Sequence, residues 1–143
     1  MSKYVIAIDG SVNALRAVDH VIKLVAVDGQ NGSLELHLVN VQPPFRRAVS
    51  THISADQIKQ YHQEEGMKEL EEARKRLDRA GVKYDYHLFV GDPAEVLTRY
   101  AKDNGCHQIV MGTRGMGSVS NMLMGSVATK VIHLTDVPVL LVK

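Results

Sequence analysis

Tyr4-Val5-Ile6-Ala7-Ile8-Asp9-Gly10-Ser11 is the stretch that decides the fold, because five apolar residues run unbroken into a turn. An apolar run of this length with β-branched residues is typical of a strand covered on both faces, as the strands of parallel sheets are. Ser11 is placed to cap a helix, and apolar residues recur at helical spacing from Leu15 to Val25. The chain therefore begins with a strand followed by a helix, the unit from which parallel sheets are built.

The same alternation continues to the end of the chain. Apolar or alternating segments predict four more strands, at residues 34–41, 82–90, 109–111 and 137–142. Three more helices are predicted between them, beginning at Ser54, at Asp92 and near Gly125. We therefore expect residues 1–143 to form a single α/β domain. Its core would be an open, twisted, five-stranded parallel sheet with helices on both faces, a Rossmann-like fold.

The second helix carries the clearest start and stop signals. Ser54 and Gln57 form a capping-box pattern, and Gly81 is a C-terminal signal. Its apolar positions predict an inward face made of Ile58, Tyr61, Leu70, Ala73 and Leu77. Gly66 interrupts this pattern, and on helix propensity alone it costs about 1 kcal/mol relative to alanine.

Composition excludes several classes of protein. Lys plus Arg is 17 and Asp plus Glu is 16, which leaves a net charge of +1 and no field to attract nucleic acid or an anionic membrane. The first apolar run is too short for a membrane span or a signal peptide, and the single cysteine, Cys106, fits a reducing cytoplasm. The seven histidines show no ligand spacing, so the sequence predicts no zinc site. We expect a cytoplasmic protein that binds neither nucleic acid nor membranes.

Residues 112–126 form the segment that carries chemistry. Gly112, Gly115, Gly125 and Ser126 lie between a predicted buried strand and a helix. Glycine lets backbone N–H groups approach an anion closely, and a helix N-terminus adds unpaired donors and partial positive charge. The segment lacks the lysine of a Walker loop, and it follows the fourth strand, whereas a dinucleotide fingerprint follows the first. On spacing alone, a phosphate site and a turn-rich connector without a ligand fit equally well.

The pattern Gly112-x2-Gly115-x9-Gly125-Ser126 resembles the nucleotide-binding motif G-x2-G-x9-G-S/T of the universal stress protein family. The likeness covers nearly the whole chain, since the opening strand through Ser11, the segment Leu38-Val-Asn-Val41 and the closing Asp136-Val-Pro138-Val-Leu-Leu-Val142 are also similar to that family. The resemblance is to the ATP-binding branch, because the branch that lacks nucleotide lacks these glycines. It implies an adenine-nucleotide α-hydrolase-like fold.

This resemblance implies roles for ten residues around an adenine nucleotide, with ATP as the expected ligand and ADP or AMP as alternatives. Val41 would touch adenine, and Ala7 stands on the same side, where many relatives carry proline. Asp9 would lie near the ribose or a phosphate-bound Mg²⁺. Met111 and Gly112 would line the nucleotide, Arg114 and Gly115 would lie by the phosphates, and Gly125, Ser126 and Val127 would complete the phosphate cradle. As isolated residues, Asp9 also fits a turn-forming aspartate, and Arg114 fits a solvated loop cation.

The function implied is that of a stress-response regulatory protein that binds an adenine nucleotide. Little or slow hydrolysis is expected, because the sequence offers no general base or water-positioning residue paired with the phosphates, and no residue is assigned a catalytic role. Two alternatives stay open: an Mg²⁺-dependent ATPase that uses Asp9, and an interaction module without nucleotide. The resemblance also implies a homodimer through the last strand, residues 137–142, whose edge invites a second chain. It names no protein partner.

Overall fold

The computed structural model describes residues 2–28, 33–46, 51–115 and 124–143. Its strands are β1 (Ser2–Ala7), β2 (Leu34–Gln42), β3 (Asp85–Val90), β4 (Gln108–Gly112) and β5 (Val139–Val142). Its helices are α1 (Val12–Asp28), α2 (Ala55–Arg79), α3 (Pro93–Asp103) and α4 (Ser126–Leu134). Strands and helices alternate along the chain, as the sequence predicts.

All five strands belong to one parallel sheet in the order β3-β2-β1-β4-β5. The chain builds outward from β1 to β2 and β3, then returns to the other side of β1 for β4 and β5. The direction of building therefore reverses between β1 and β4. In open parallel sheets the crevice for a ligand forms at this point, beyond the carboxyl ends of the strands. The predicted Rossmann-like architecture is confirmed.

Each face of the sheet packs against two helices, because successive residues of a strand point to opposite faces. Ile6 of β1 packs in one core with residues of α1 and α2, such as Val18 and Leu70. Val5 packs in the other core with residues of α3 and α4, such as Leu97. Cys106 is buried in this second core. Among the described residues, no helix has the length and apolar character to cross a membrane.

Helix α2 begins where the sequence predicts, but it turns a slightly different face inward. The Ser54 side chain accepts from the Gln57 N–H, and the Gln57 side chain accepts from the Ser54 N–H, which completes the capping box. The expectation that Tyr61 points inward is wrong, because its side chain is 47% exposed. The buried residues are His62, Gly66, Leu70, Ala73 and Leu77. They recur every three or four positions, and Tyr61 lies one residue, about 100°, off that stripe.

The third strand is shorter than the alternating pattern predicts, since β3 begins only at Asp85. Val82 is buried, but its N–H donates to the carbonyl of Leu77 at the end of α2. That bond completes the helix terminus, so the backbone enters the sheet only where Asp85 meets His37 of β2. The alternation of apolar and polar residues at 82–84 therefore results from packing against the end of α2 and not from pairing within the sheet.

Candidate functional site

A cavity of about 320 Å³ opens at the carboxyl ends of β1, β2 and β4. Its volume lies within the range of small-molecule sites. The structure brings all ten residues singled out from the sequence to its walls: Ala7, Asp9, Val41, Met111, Gly112, Arg114, Gly115, Gly125, Ser126 and Val127. Residues 116–123 of the glycine-rich segment lie outside the described part of the chain.

The turn after β1 positions Asp9 at this cavity. Asp9 Oδ1 accepts a hydrogen bond from the N–H of Ser11 at 2.9 Å, and Gly10 between them adopts a left-handed conformation with φ of 83°. Ser11 Oγ in turn accepts from the N–H of Ala14 at 3.1 Å, so Ser11 caps α1 as predicted. The turn and the cap hold one carboxylate oxygen of Asp9 and leave the other, Oδ2, directed toward Gly115.

Close packing explains why β4 ends in glycine. A Cβ at Gly112 would lie 2.7 Å from Cβ of Asn13 and 2.9 Å from its carbonyl carbon, which leaves no space for a side chain against α1. At Gly115, a Cβ would overlap Oδ2 of Asp9. The backbone at Gly112 therefore packs directly against α1, and the backbone at Gly115 lies against the Asp9 carboxylate.

The two ends of the glycine-rich segment are joined to each other. The N–H of Gly125 donates to the carbonyl of Thr113 at 2.6 Å, and the N–H of Thr113 donates to Val142 of β5 at 2.9 Å. Gly125 is also the N-cap residue of α4, and a glycine brings no side chain to occupy the first N–H groups of the helix. The amino end of α4 therefore faces the cavity with backbone donors and a partial positive charge, which together favour an anion.

Helix α4 contacts the start of α3 through exposed ion pairs. Lys130 Nζ lies 3.1 Å from Asp92 Oδ2 and 3.6 Å from Glu95 Oε1. Asp92 is the predicted N-cap of α3 and accepts from the N–H of Glu95. That backbone hydrogen bond, with the contact to Lys130, lowers the pKa of the Asp92 carboxyl. Asp92 therefore serves the helix ends and does not line the cavity.

Sequence reasoning missed a polar network on the opposite wall. Glu69 of α2 lines the cavity, and its Oε2 accepts from Asn40 Nδ2 at 3.1 Å and from Gln42 Nε2 at 2.9 Å. Asn40 Nδ2 also donates to the carbonyl of Ile8 at 2.8 Å, so the network ties the ends of β1, β2 and α2 together. The sequence did contain one indication of this network, the alternate polar residues Asn40 and Gln42 at the end of an otherwise apolar strand. Nothing in the sequence distinguishes Glu69, because it lies in a helix with many charged residues.

Glu69 carries an unusual charge environment. Burial raises the pKa of its carboxyl, and the nearby charge of Asp9 acts in the same direction. The two amide hydrogen bonds from Asn40 and Gln42 act against that rise. The cavity therefore holds a partly buried carboxylate, Glu69, close to the charge of Asp9.

The remaining wall of the cavity is apolar. Val39 and Val41 of β2 face Pro93 and Leu97 of α3, and Pro43 lies beside them. Sequence analysis also missed three residues of this wall. Each has an ordinary structural role that explains its presence: Pro43 ends a strand, Pro93 begins a helix and Leu97 is a core residue. The cavity is thus divided into an apolar part near β2 and α3 and a backbone-donor part near β4 and α4.

The chain is similar to known proteins over nearly its whole length. The model of the universal stress protein family matches residues 1–143. Universal stress protein YxiE of Bacillus subtilis is 32% identical over 153 residues, which cover 99% of both chains. The solved structure of MJ0577, a protein of Methanocaldococcus jannaschii, matches with a TM-score of 0.83 at 29% identity, over 99% of this chain and 95% of that one. A universal stress protein crystallised in complex with cAMP matches with a TM-score of 0.71 at 26% identity, over 99% and 97%.

Proposed function

The chain belongs to the universal stress protein family, and from that premise we propose that it is a stress-response protein that binds an adenine nucleotide in the cavity beyond β1, β2 and β4. The observation that carries the proposal is that two elements suited to approach phosphate closely form one wall of the cavity. These are the segment from Gly112 to Gly115 and the amino end of α4. The structure in complex with cAMP supports an adenine nucleotide, because its chain is similar over nearly its whole length.

We place the phosphates at the donor wall and the adenine at the apolar wall. Gly115, Gly125 and Ser126 would hold the phosphates through backbone N–H groups, with Arg114 supplying positive charge. The base would pack between Val41 and the start of α3, where Pro93 and Leu97 line the cavity. Backbone donors recognise any phosphate, so ATP as the preferred ligand is supported by the family motif and not by the donors themselves.

Mg²⁺ fits the carboxylates of this cavity. Carboxylate oxygens and phosphates are the ligands that Mg²⁺ prefers, and Asp9 and Glu69 supply the former. Bound there with a nucleotide, the ion would offset the repulsion between the carboxylates and the phosphates. In this arrangement Asp9 would contact the Mg²⁺ that accompanies the nucleotide, and Glu69 would assist Asp9 in holding the ion.

We propose that hydrolysis is slow, because Oε2 of Glu69 already accepts two amide hydrogen bonds that hold it toward β2. A true ATPase is the alternative that Glu69 and Asp9 allow. It requires turnover that is lost in Asp9→Ala or Glu69→Gln while the nucleotide remains bound.

We further propose that residues 1–143 act as one domain in the cytoplasm, since both cores pack on one sheet and the single cysteine is buried.

Nucleotide binding is tested on the purified protein. We expect denaturation to release an adenine nucleotide that chromatography identifies, and calorimetry of nucleotide-free protein to show saturable binding of MgATP. Inorganic triphosphate and adenosine are controls that each carry one part of ATP. Each should bind more weakly than ATP, because triphosphate would contact only the backbone-donor wall and adenosine mainly the apolar wall. No released nucleotide together with no heat and no rise in melting temperature at millimolar MgATP would favour the interaction module instead.

We also propose a homodimer through β5, which lies at the edge of the sheet. The carbonyl of Pro138 accepts from Ile109 of β4 and that of Val142 accepts from Thr113 just after β4, so the backbone groups of Val139 and Leu141 point away from the sheet. The preceding helix exposes Ile132 at 44% and Leu134 at 48%, which adds apolar surface. This edge is suited to pairing with the same strand of a second copy.

Leu141→Pro tests the dimer, because it removes an outward-facing N–H while the hydrogen bonds to β4 remain. We expect sedimentation at micromolar concentration to show a dimer for the unmodified protein and a monomer for the variant. Circular dichroism should show that the variant stays folded. A monomer before any substitution would contradict the proposal.

A further inference from the structure

A second cluster of chemically active side chains lies at the amino ends of β2 and β3, away from the nucleotide cavity. His37 of β2 is directly opposite Asp85 of β3 in the sheet, and Glu35 lies two residues before His37 on the same face. The ligand atoms of these three side chains, one nitrogen and two carboxylate oxygens, all lie within 4.8 Å of one another. We call Glu35, His37 and Asp85 the amino-end cluster.

His37 is the buried centre of this cluster. It is 7% exposed, and its Nδ1 forms a hydrogen bond with the hydroxyl of Tyr100 on α3. Its other ring nitrogen, Nε2, is buried and has no hydrogen-bond partner among the described residues. Oε1 of Glu35 lies 3.6 Å from Nε2, which is beyond hydrogen-bond distance. A buried polar nitrogen without a partner needs an explanation, and here it lies near the Glu35 carboxylate, with Asp85 in the same cluster.

We propose that the amino-end cluster binds one divalent transition-metal ion of the Zn²⁺ type through His37 Nε2 and one oxygen each of Glu35 and Asp85. With the Nδ1 proton donated to Tyr100, Nε2 carries a lone pair that faces the carboxylates. A cation between them satisfies all three groups at once. Three protein ligands with the fourth position open to water is an established arrangement for zinc.

The surroundings of the cluster match those of metal-binding histidines. Such histidines hold their second ring nitrogen in a hydrogen bond that fixes the ring and its tautomer. The hydroxyl of Tyr100 fills this position. On the carboxylate side, Lys3 Nζ lies 3.2 Å from Oε2 of Glu35 and leaves Oε1 directed toward His37.

The ligand set also indicates the kind of metal. An imidazole nitrogen with two carboxylates suits Zn²⁺ and neighbouring transition ions, whereas Mg²⁺ and Ca²⁺ prefer oxygen ligands alone. His37 cannot move far, because it packs among Tyr100 and His87. Glu35 is half-exposed and Asp85 is exposed, so both carboxylates can rotate onto an ion that the buried histidine anchors.

The test is titration of ZnCl₂ into the full chain, freed of any affinity tag, followed by calorimetry. We expect saturable uptake of one ion per chain, a rise in melting temperature, and no comparable effect of MgCl₂. Co²⁺ in place of Zn²⁺ should give the intense visible absorption of a four-coordinate site. His37→Gln should weaken binding by at least about ten-fold, and so should Asp85→Asn, which changes only an exposed side chain. Tyr100→Phe should weaken it less and shift the Co²⁺ spectrum.

His133→Gln is the matched control, because His133 is an exposed histidine on α4 and should leave the affinity unchanged. Equal zinc affinity in this control, in His37→Gln and in Asp85→Asn would show adventitious surface binding and overturn the proposal. So would the absence of saturable uptake. In either case His37 would be a structural histidine whose Nε2 proton faces Glu35. The result is independent of nucleotide binding, since none of the three ligands lines the nucleotide cavity.

Discussion

Gly115→Val is expected to abolish nucleotide binding while the protein stays folded. A Cβ at this position would overlap Oδ2 of Asp9, so either the Asp9 carboxylate or the backbone of the segment must shift. Either shift would disturb the proposed contacts with the phosphates and their metal. The loss of two hydrogen bonds to a charged group, each worth about 1.5–3 kcal/mol, predicts a fall in affinity of at least about 100-fold. Gly115 is exposed, so the effect on folding should be small.

The measurement is calorimetry with MgATP alongside thermal unfolding of the unliganded variant. Gly105→Ala is the control, because Gly105 has a left-handed φ of 62° and no atom within 4 Å of an added Cβ. It introduces modest backbone strain far from the cavity, and its nucleotide affinity should be unchanged. If Gly115→Val bound MgATP as tightly as the unmodified protein, the phosphates could not lie at this segment.

Gly66→Val is expected to destabilise the fold by about 3 kcal/mol and to lower the melting temperature by about 10 °C. Helix propensity alone predicts a small gain on replacing glycine in a helix, so the expected sign is reversed. The reason is contact: a Cβ at Gly66 would overlap Cδ2 of Leu88 on β3 and lie 3.0 Å from Oδ1 of Asn40. Asn40 is wholly buried and hydrogen-bonded, so it cannot yield without breaking the network to Ile8 and Glu69.

Thermal and urea unfolding measure this change. Gln63→Val places the same side chain on the exposed face of the same helix and should cost only a few tenths of a kcal/mol. Leu88→Ala should make room, so the double variant Gly66→Val with Leu88→Ala should be less destabilised than the sum of the single changes. Strict additivity would mean that the two residues do not compete for the same space.

Several elements could be predicted from the sequence because their signals are local. The starts of three helices are examples, because the capping residues accept hydrogen bonds from backbone N–H groups only a few positions away. The structure has these helices beginning at the predicted caps, Ser11, Ser54 and Asp92. The alternation of strands and helices, combined with the handedness of parallel connections, leads to the parallel sheet. The family motif then selected the residues that line the cavity.

Other features could not be predicted, because they depend on residues that meet only across the fold. Glu69 is one of many acidic residues in α2 until the Asn40 and Gln42 amides reach it from β2. His37 shows no metal-ligand spacing along the chain, and its partner Asp85 comes from a strand 48 positions later, the neighbour set by sheet order. Gly66 looked like a defect in a helix until Leu88 was found against it.

The sequence by itself determined the order of strands and helices, most of their boundaries and the glycine-rich segment, since these follow from hydrophobic period, capping chemistry and backbone freedom within short stretches. Only the tertiary structure decided which face of α2 turns inward, which carboxylates share the cavity and which side chains surround His37. The physical reason is that contacts across parallel strands and between helix and sheet depend on packing geometry, which residue spacing along the chain does not encode.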